Sequence, residues 1–276
     1  MPVLPPLPEF TDETFEVSRE PWPLHRRLLL AAFVLASVTL LALSWPRVAP
    51  SFSLSEVQRR AQSTLSRFTA YRGPVRVGLQ VGHLNAQDHP EELARLRYST
   101  GAHVNGLREV DLNLAVAQHL QEALELEGVT VDVLPATVPR AYQADLVLSL
   151  HADASPDPAR RGYKSAHLAR QRNALEPLLK THIDEAYFFY TGLPDDDANV
   201  TGNMLWYYAF NRRHAHSVAQ STPALLVELG YISNAADRAF LADPVNPAYA
   251  LKQGVMSYLK TQGRLPEASA EATSDE

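Results

Sequence analysis

The chain of 276 residues contains no cysteine, so disulfide staples and thiolate metal sites are both excluded. It has no excess of positive charge either: 25 Lys and Arg against 31 Asp and Glu leave a formal charge of -6. That balance offers no basic footprint for nucleic acid. Internal repeats are absent, and so is the compact H-E-x-x-H pairing that marks many helical metal sites. Any metal would therefore be held by histidine and carboxylate brought together from distant parts of the chain.

One long uncharged run is present. Leu28 to Trp45 reads LLLAAFVLASVTLLALSW, which as a helix spans roughly 27 Å, about the hydrocarbon thickness of a bilayer. Ser37, Thr39 and Ser44 are too few for the polar stripe of a core helix. His25, Arg26 and Arg27 precede the run and only Arg47 follows closely. The positive-inside rule then leaves the N-terminus in the cytoplasm and the rest outside, as a single-pass protein of the cell membrane. A cleaved signal peptide is the alternative. It is disfavoured by Pro46 and Pro50, by a long leading segment and by the lack of an A-x-A site.

The expected organisation is a disordered cytoplasmic tail over 1–27, a transmembrane anchor over 28–46, and a stalk or linker over 47–72. A catalytic domain over 73–263 and an acidic tail over 264–276 follow. Within the stalk, Ser53 and Glu56 have capping-box spacing, and Val57, Ala61, Leu65 and Phe68 share one helical face.

In the domain, apolar runs at 75–81, 129–134, 145–150 and 224–229 predict buried strands. The stretch between the first two has Leu114, Ala117, Leu120 and Leu124 at helical spacing and Gly128 as a C-terminal stop. Strand, helix, strand predicts a βαβ crossover and parallel pairing. Further helical patterns cover 168–191 and 247–262. The polar stretch 192–222 fits neither pattern and is expected as a loop over the site. The fold class is therefore α/β: a twisted, mostly parallel sheet with helices on both faces, preceded by the N-terminal transmembrane helix.

His83, His151 and Glu228 each fall at or near the end of an apolar run, and Glu109 stands where the first helix begins. Ligands bind open α/β sheets beyond the carboxyl ends of the strands, so these groups converge on one edge. Two imidazoles and one carboxylate match the three-ligand, open-position set of a zinc hydrolase. That leaves Glu228, in LLVELGYI, free to act as a base. Each residue alone also has an ordinary reading: a surface histidine, or a first-turn acid beside Arg108 that favours the helix dipole. Glu228 is the hardest to dismiss, because a charge within an apolar run is costly unless it is paired. Gly82 is expected to let the chain turn sharply before His83. Asp153 is a candidate to orient a ligand imidazole, His103 an alternative ligand, and His167 a substrate contact. His214 and His216 are expected in solvent.

Four segments carry a resemblance: VGH at 81–83, TGAHVNGLREVDLNLAVAQHL at 100–120, DLVLSLHAD at 145–153 and TPALLVELGYISNAADRAFL at 222–241. They resemble the zinc-dependent N-acetylmuramoyl-L-alanine amidases of the type 3 class. The resemblance implies zinc ligands at His83, Glu109 and His151, a catalytic glutamate at Glu228 and peptidoglycan as substrate, with an activator protein as a conceivable partner. The chain departs from the family's usual Asp-Pro-Gly-His-Gly-Gly in having LQVGHLN at the first ligand. Only Arg140 remains in the shortened 135–144 stretch, and 192–222 has no evident counterpart. Two other readings are a catalytically inactive wall-binding or regulatory module and another zinc peptidase on the same fold.

Overall fold

A computed structural model describes residues 71–265. The tail, the apolar run, the stalk pattern and nearly all of the acidic tail lie outside the described residues. Among the described residues, no helix is long and apolar enough to cross a membrane.

The chain enters through β1 (Arg76–Val81), then makes a small hairpin from β2 (His103–Val104) and β3 (Leu107–Arg108). Next come α1 (Glu109–Glu125), β4 (Thr130–Leu134), β5 (Leu146–Asp153) and β6 (Lys164–Ala166). They are followed by α2 (Glu176–Thr191), the single turn α3 (Gly202–Leu205), β7 (Ala224–Tyr231), α4 (Ala235–Leu241) and α5 (Val245–Thr261). The main sheet has the order β4-β1-β5-β7-β6. All of its pairs are parallel except β6 with β7, which is antiparallel. The four expected strands thus form and pair in parallel. The short edge strand β6 is an addition that three residues of sequence do not announce.

Strand alternation assigns the two faces. Val77, Leu79, Leu148, Leu150, Leu225 and Val227 point into one apolar cluster together with Leu120 of α1, Ile183 of α2 and Leu251 of α5. The helices α1, α2 and α5 all pack on this face. Gly254 of α5 lies so near α2 that a Cβ there would meet the His182 carbonyl at 2.9 Å. The expectation of helices on both faces is therefore met unevenly. The opposite face, with Val147, Ala224 and Leu226, is covered by Met204, Tyr207, Phe210 and Val218 from the 192–222 stretch. That stretch lacks a repeating apolar period, so it covers the sheet with single turns rather than a long helix. The second helical pattern also starts later than its sequence suggests: α2 begins at Glu176 with Pro177 in its first turn, a position that favours proline.

From β1 the chain steps outward to β4 and then returns to β5 on the other side of β1. The strand order therefore reverses between β1 and β5, and a crevice opens there at the carboxyl ends of both. His83 lies just past β1, and His151 lies in the last turn of pleat of β5.

Candidate metal centre

His83, Glu109 and His151 each offer one ligand atom, and these atoms all lie within 4.8 Å of one another. Three different elements supply them: the loop after β1, the first residue of α1 and the end of β5. The imidazole rings of His83 and His151 meet edge to face with centroids 5.0 Å apart. Glu109 Oε1 stands 3.2 Å from His83 Nε2 and 3.0 Å from His151 Nδ1.

The local backbone explains the convergence. His83 itself adopts the left-handed conformation, at φ 65, which costs an ordinary L residue roughly 1 kcal/mol and collects at functional sites. Gly82 therefore does not make the turn that its sequence context suggests. It is needed because a Cβ there would lie 2.3 Å from His151 Cε1. Glu109 is fixed by the amide of Ala102, which donates to Oε2 at 2.8 Å, and by that of Ala152, which donates to Oε1 at 3.3 Å.

The electrostatics of the cluster are those of a cation site. Burial alone would raise the Glu109 carboxyl, but hydrogen bonds with His151 and His83 outweigh it and hold the group below the usual carboxylate range. For His83, burial opposes the imidazolium, yet the Glu109 carboxylate prevails and the pKa rises. The Ser99 carbonyl lies 2.8 Å from His83 Nδ1. A carbonyl only accepts, so Nδ1 carries a hydrogen on that side, and Nε2 is the ring nitrogen that faces Glu109.

Glu228 is the register partner of His151 and so projects from the same face of the sheet. Its Oε2 is out of contact with solvent and has no hydrogen-bond partner. Burial drives this carboxyl well above its ordinary pKa, and the charges of Asp153 and Glu109 add to the rise while Lys164 opposes it. Glu228 lines the same cleft as the three cluster residues, a space of about 770 Å3 with Arg95 and Trp206 also on its wall. A smaller cavity of about 430 Å3, beside Tyr71 and Arg264, contains none of the four.

Two imidazoles and a carboxylate suit a borderline cation such as zinc. The orphaned Glu228 oxygen in the same cleft is what a site for a polarised water requires nearby. The residues present therefore fit a metal ion.

Other sequence expectations fare differently. Asp153 does not touch a cluster imidazole: its carboxylate accepts from Lys164 Nζ and from the Ala154 amide. His103 is exposed in the β2–β3 hairpin and outside the cluster. His167 Nδ1 donates to the Leu168 carbonyl at 2.9 Å. His216 is tied down, with its Nδ1 2.8 Å from Glu92 Oε1. The 192–222 stretch does border the site, through Thr201, Asn203, Trp206 and Tyr207 among others. Three residues escaped the sequence reading. Lys164 is buried beside Glu228, its register partner, and donates to Tyr231 Oη at 2.7 Å as well as to Asp153. Gln80 and Ser149 are polar residues within apolar strands, the same signal that singles out Glu228.

Several known proteins are similar to this chain. The probable cell wall amidase LytH of Staphylococcus aureus is 29% identical over 160 residues, covering 55% of this chain and 49% of its own length. The chain thus spans about half the length of the curated relatives it matches. Among solved structures, the catalytic domain of CwlV, an N-acetylmuramoyl-L-alanine amidase from Bacillus (Paenibacillus) polymyxa, is 20% identical, with a TM-score of 0.49. That match covers 67% of this chain and 98% of that one. Ami1 of Mycobacterium smegmatis is 18% identical, with a TM-score of 0.48, over 68% of this chain and 97% of that one. The type 3 family pattern described as N-acetylmuramoyl-L-alanine amidase matches residues 77–257, a span that holds β1 through most of α5 and all four site residues, and the chain belongs to that family.

Proposed function

We propose that the chain is a zinc-dependent amidase of peptidoglycan. It would cleave the amide between the lactyl group of N-acetylmuramic acid and the L-alanine of the stem peptide. His83, Glu109 and His151 would hold the zinc, and Glu228 would be the general base and acid. Bound there, zinc supplies Lewis acidity toward the scissile carbonyl and a nucleophile at neutral pH.

The chain's own groups do the rest. Glu228 Oε2, unpartnered and buried, takes a proton from the attacking water as the C–O bond forms. The same carboxyl returns that proton to the alanine nitrogen as the C–N bond breaks, so charge and protons balance. Lys164, buried at the next strand, favours the ionised form of Glu228 that accepts the proton. The single observation that carries this reading is the unsatisfied Glu228 carboxylate oxygen lining the same cleft as the His83, Glu109 and His151 cluster.

In this reading residues 28–46 anchor the protein in the membrane with the domain on the outer side. The support is the uncharged run from Leu28 to Trp45 behind Arg26 and Arg27.

The test uses the full-length chain, with zinc measured by elemental analysis and stem-peptide release measured from purified peptidoglycan. About one zinc per chain and release abolished by a chelator are expected. Glu228→Gln should keep its zinc and lose roughly 100- to 10000-fold in turnover. Release that survives full removal of metal, or normal turnover in Glu228→Gln, would refute the mechanism.

A further inference from the structure

The cleft around the cluster has walls that the chemistry of the cluster does not use. One wall comes from the short segment Glu91–Leu96 after β1, which contributes Arg95 and Leu96. Another comes from the 192–222 stretch, which contributes Asn203 and Trp206. Glu92 of the first segment accepts from the amides of His216 and Ala215, each at 2.9 Å, so the two segments are tied to each other. Trp206 is 60% exposed. A single exposed apolar side chain is ordinary by itself. This one is set apart by its place and its neighbours. Met204 and Tyr207, which bracket it in the chain, are buried in the cluster under the sheet. They fix the backbone and leave the indole on the cleft wall. Asn203 is exposed on the same wall, and among the described residues its carboxamide has no partner.

Arg95 is the only lysine or arginine among the described residues that line the cleft. Arg97, two positions on, spends its guanidinium on the His89 carbonyl at 2.7 Å and on Glu91 at 3.1 Å. Among the described residues Arg95 has neither a hydrogen bond nor an ion pair. Its charge is therefore available to whatever enters the cleft.

The amide that the proposed function breaks joins two unlike halves. On one side is a neutral sugar with apolar C–H faces, hydroxyls and an acetamido group, because its lactyl carboxyl is consumed in the amide. On the other side is a peptide that carries free carboxylates. The two halves leave the reacting carbonyl in different directions. An indole face and a free carboxamide suit the sugar. A guanidinium suits a carboxylate, which it can hold through two parallel N–H bonds. From this complementarity we propose that Trp206 and Asn203 form the sugar subsite of the cleft and that Arg95 binds a carboxylate of the stem peptide. The inference rests on the amidase reading above. It gives the 192–222 stretch, which has no evident counterpart in the family pattern, the task of recognising the sugar.

The test measures binding by calorimetry to full-length Glu228→Gln, in which the ligand stays intact. Three ligands are compared: a muramyl peptide with free carboxylates, the same compound with its carboxylates amidated, and a lactyl peptide that lacks the sugar. Adding Arg95→Gln should weaken the first roughly 10- to 100-fold and leave the amidated compound unchanged. Adding Trp206→Ala should weaken the muramyl peptide roughly 5- to 50-fold and leave the sugarless peptide unchanged. Asn203→Ala should act in the same direction, by roughly 2- to 10-fold. Phe189→Ala removes another ring, 80% exposed and outside the cleft, and should change nothing. Losses that are equal for all three ligands overturn the assignment, as do an unchanged affinity in Arg95→Gln or Trp206→Ala and an equal loss in Phe189→Ala. Failure to bind the muramyl peptide at all overturns it too. The expected pattern of binding without any release of stem peptide by wild type would support the subsites and sink the catalytic reading alone.

Discussion

Replacing Gly82 with alanine tests the packing of the site with a single methyl group. Gly82 lacks the left-handed backbone that would itself forbid a side chain, and its amide bond to the Leu150 carbonyl at 2.9 Å can persist. The new carbon, however, would stand 2.3 Å from His151 Cε1 and 2.6 Å from both ring nitrogens. Carbon contacts settle near 3.5 Å, so the ring must retreat by roughly 1 Å. Retreat is blocked where Tyr207 Oη and Glu109 Oε1 each hold a ring nitrogen at 3.0 Å. A shift of that size stretches one or both bonds beyond hydrogen-bonding range. Overpacking should cost about 1–3 kcal/mol of stability. The larger effect falls on function, since a misplacement near 1 Å can cost on the order of 100-fold in rate. Thermal melting, chelator-competition zinc affinity and stem-peptide release would be measured on the same preparation. Alanine at 82 with wild-type affinity and turnover would show that the ring has room the structure denies it, and the reasoning would fail.

Two other outcomes follow from charges around the site. Lys164→Met should destabilise the protein by roughly 3 kcal/mol, because Asp153 would lose the buried ammonium it faces. A chemical-denaturation midpoint unchanged from wild type would count against that. On the surface, Glu92 accepts from the amides of His216 and Ala215, each at 2.9 Å, and these bonds lower its pKa to about 2. A carboxylate with a depressed folded value stabilises above its unfolded pKa, and that stability is lost as pH falls through the folded value. The stability this contact adds should therefore decline from about pH 4.5 downward and be gone near pH 2, while the contact itself titrates near pH 2. Amide shifts of Ala215 and His216 titrating near pH 4.5 would contradict it.

Much of the site was legible along the chain because its determinants are local. Apolar runs of strand length end at His83, His151 and Glu228, and parallel strands carry their chemistry at their carboxyl ends. A first-turn acid at Glu109 marks where α1 starts. Helical spacing likewise announces α1 and α5. The extent of α2 is less legible, because residues 168–175 have apolar spacing but Pro177 favours a start at Glu176. The reason for Gly82 was misread, since a turn and a close approach look alike in one dimension.

The sequence by itself determined four strands of the main sheet, their parallel pairing and the four chemical groups, through run length, alternation and the cost of a charge in apolar surroundings. Only the tertiary structure decided which imidazole nitrogen faces the site, that Asp153 serves Lys164 rather than a histidine, and that Tyr207 joins the cluster. Those outcomes depend on hydrogen-bond partners up to 127 residues apart. They come from a stretch without periodicity, whose course is set by what it packs against and not by its own pattern.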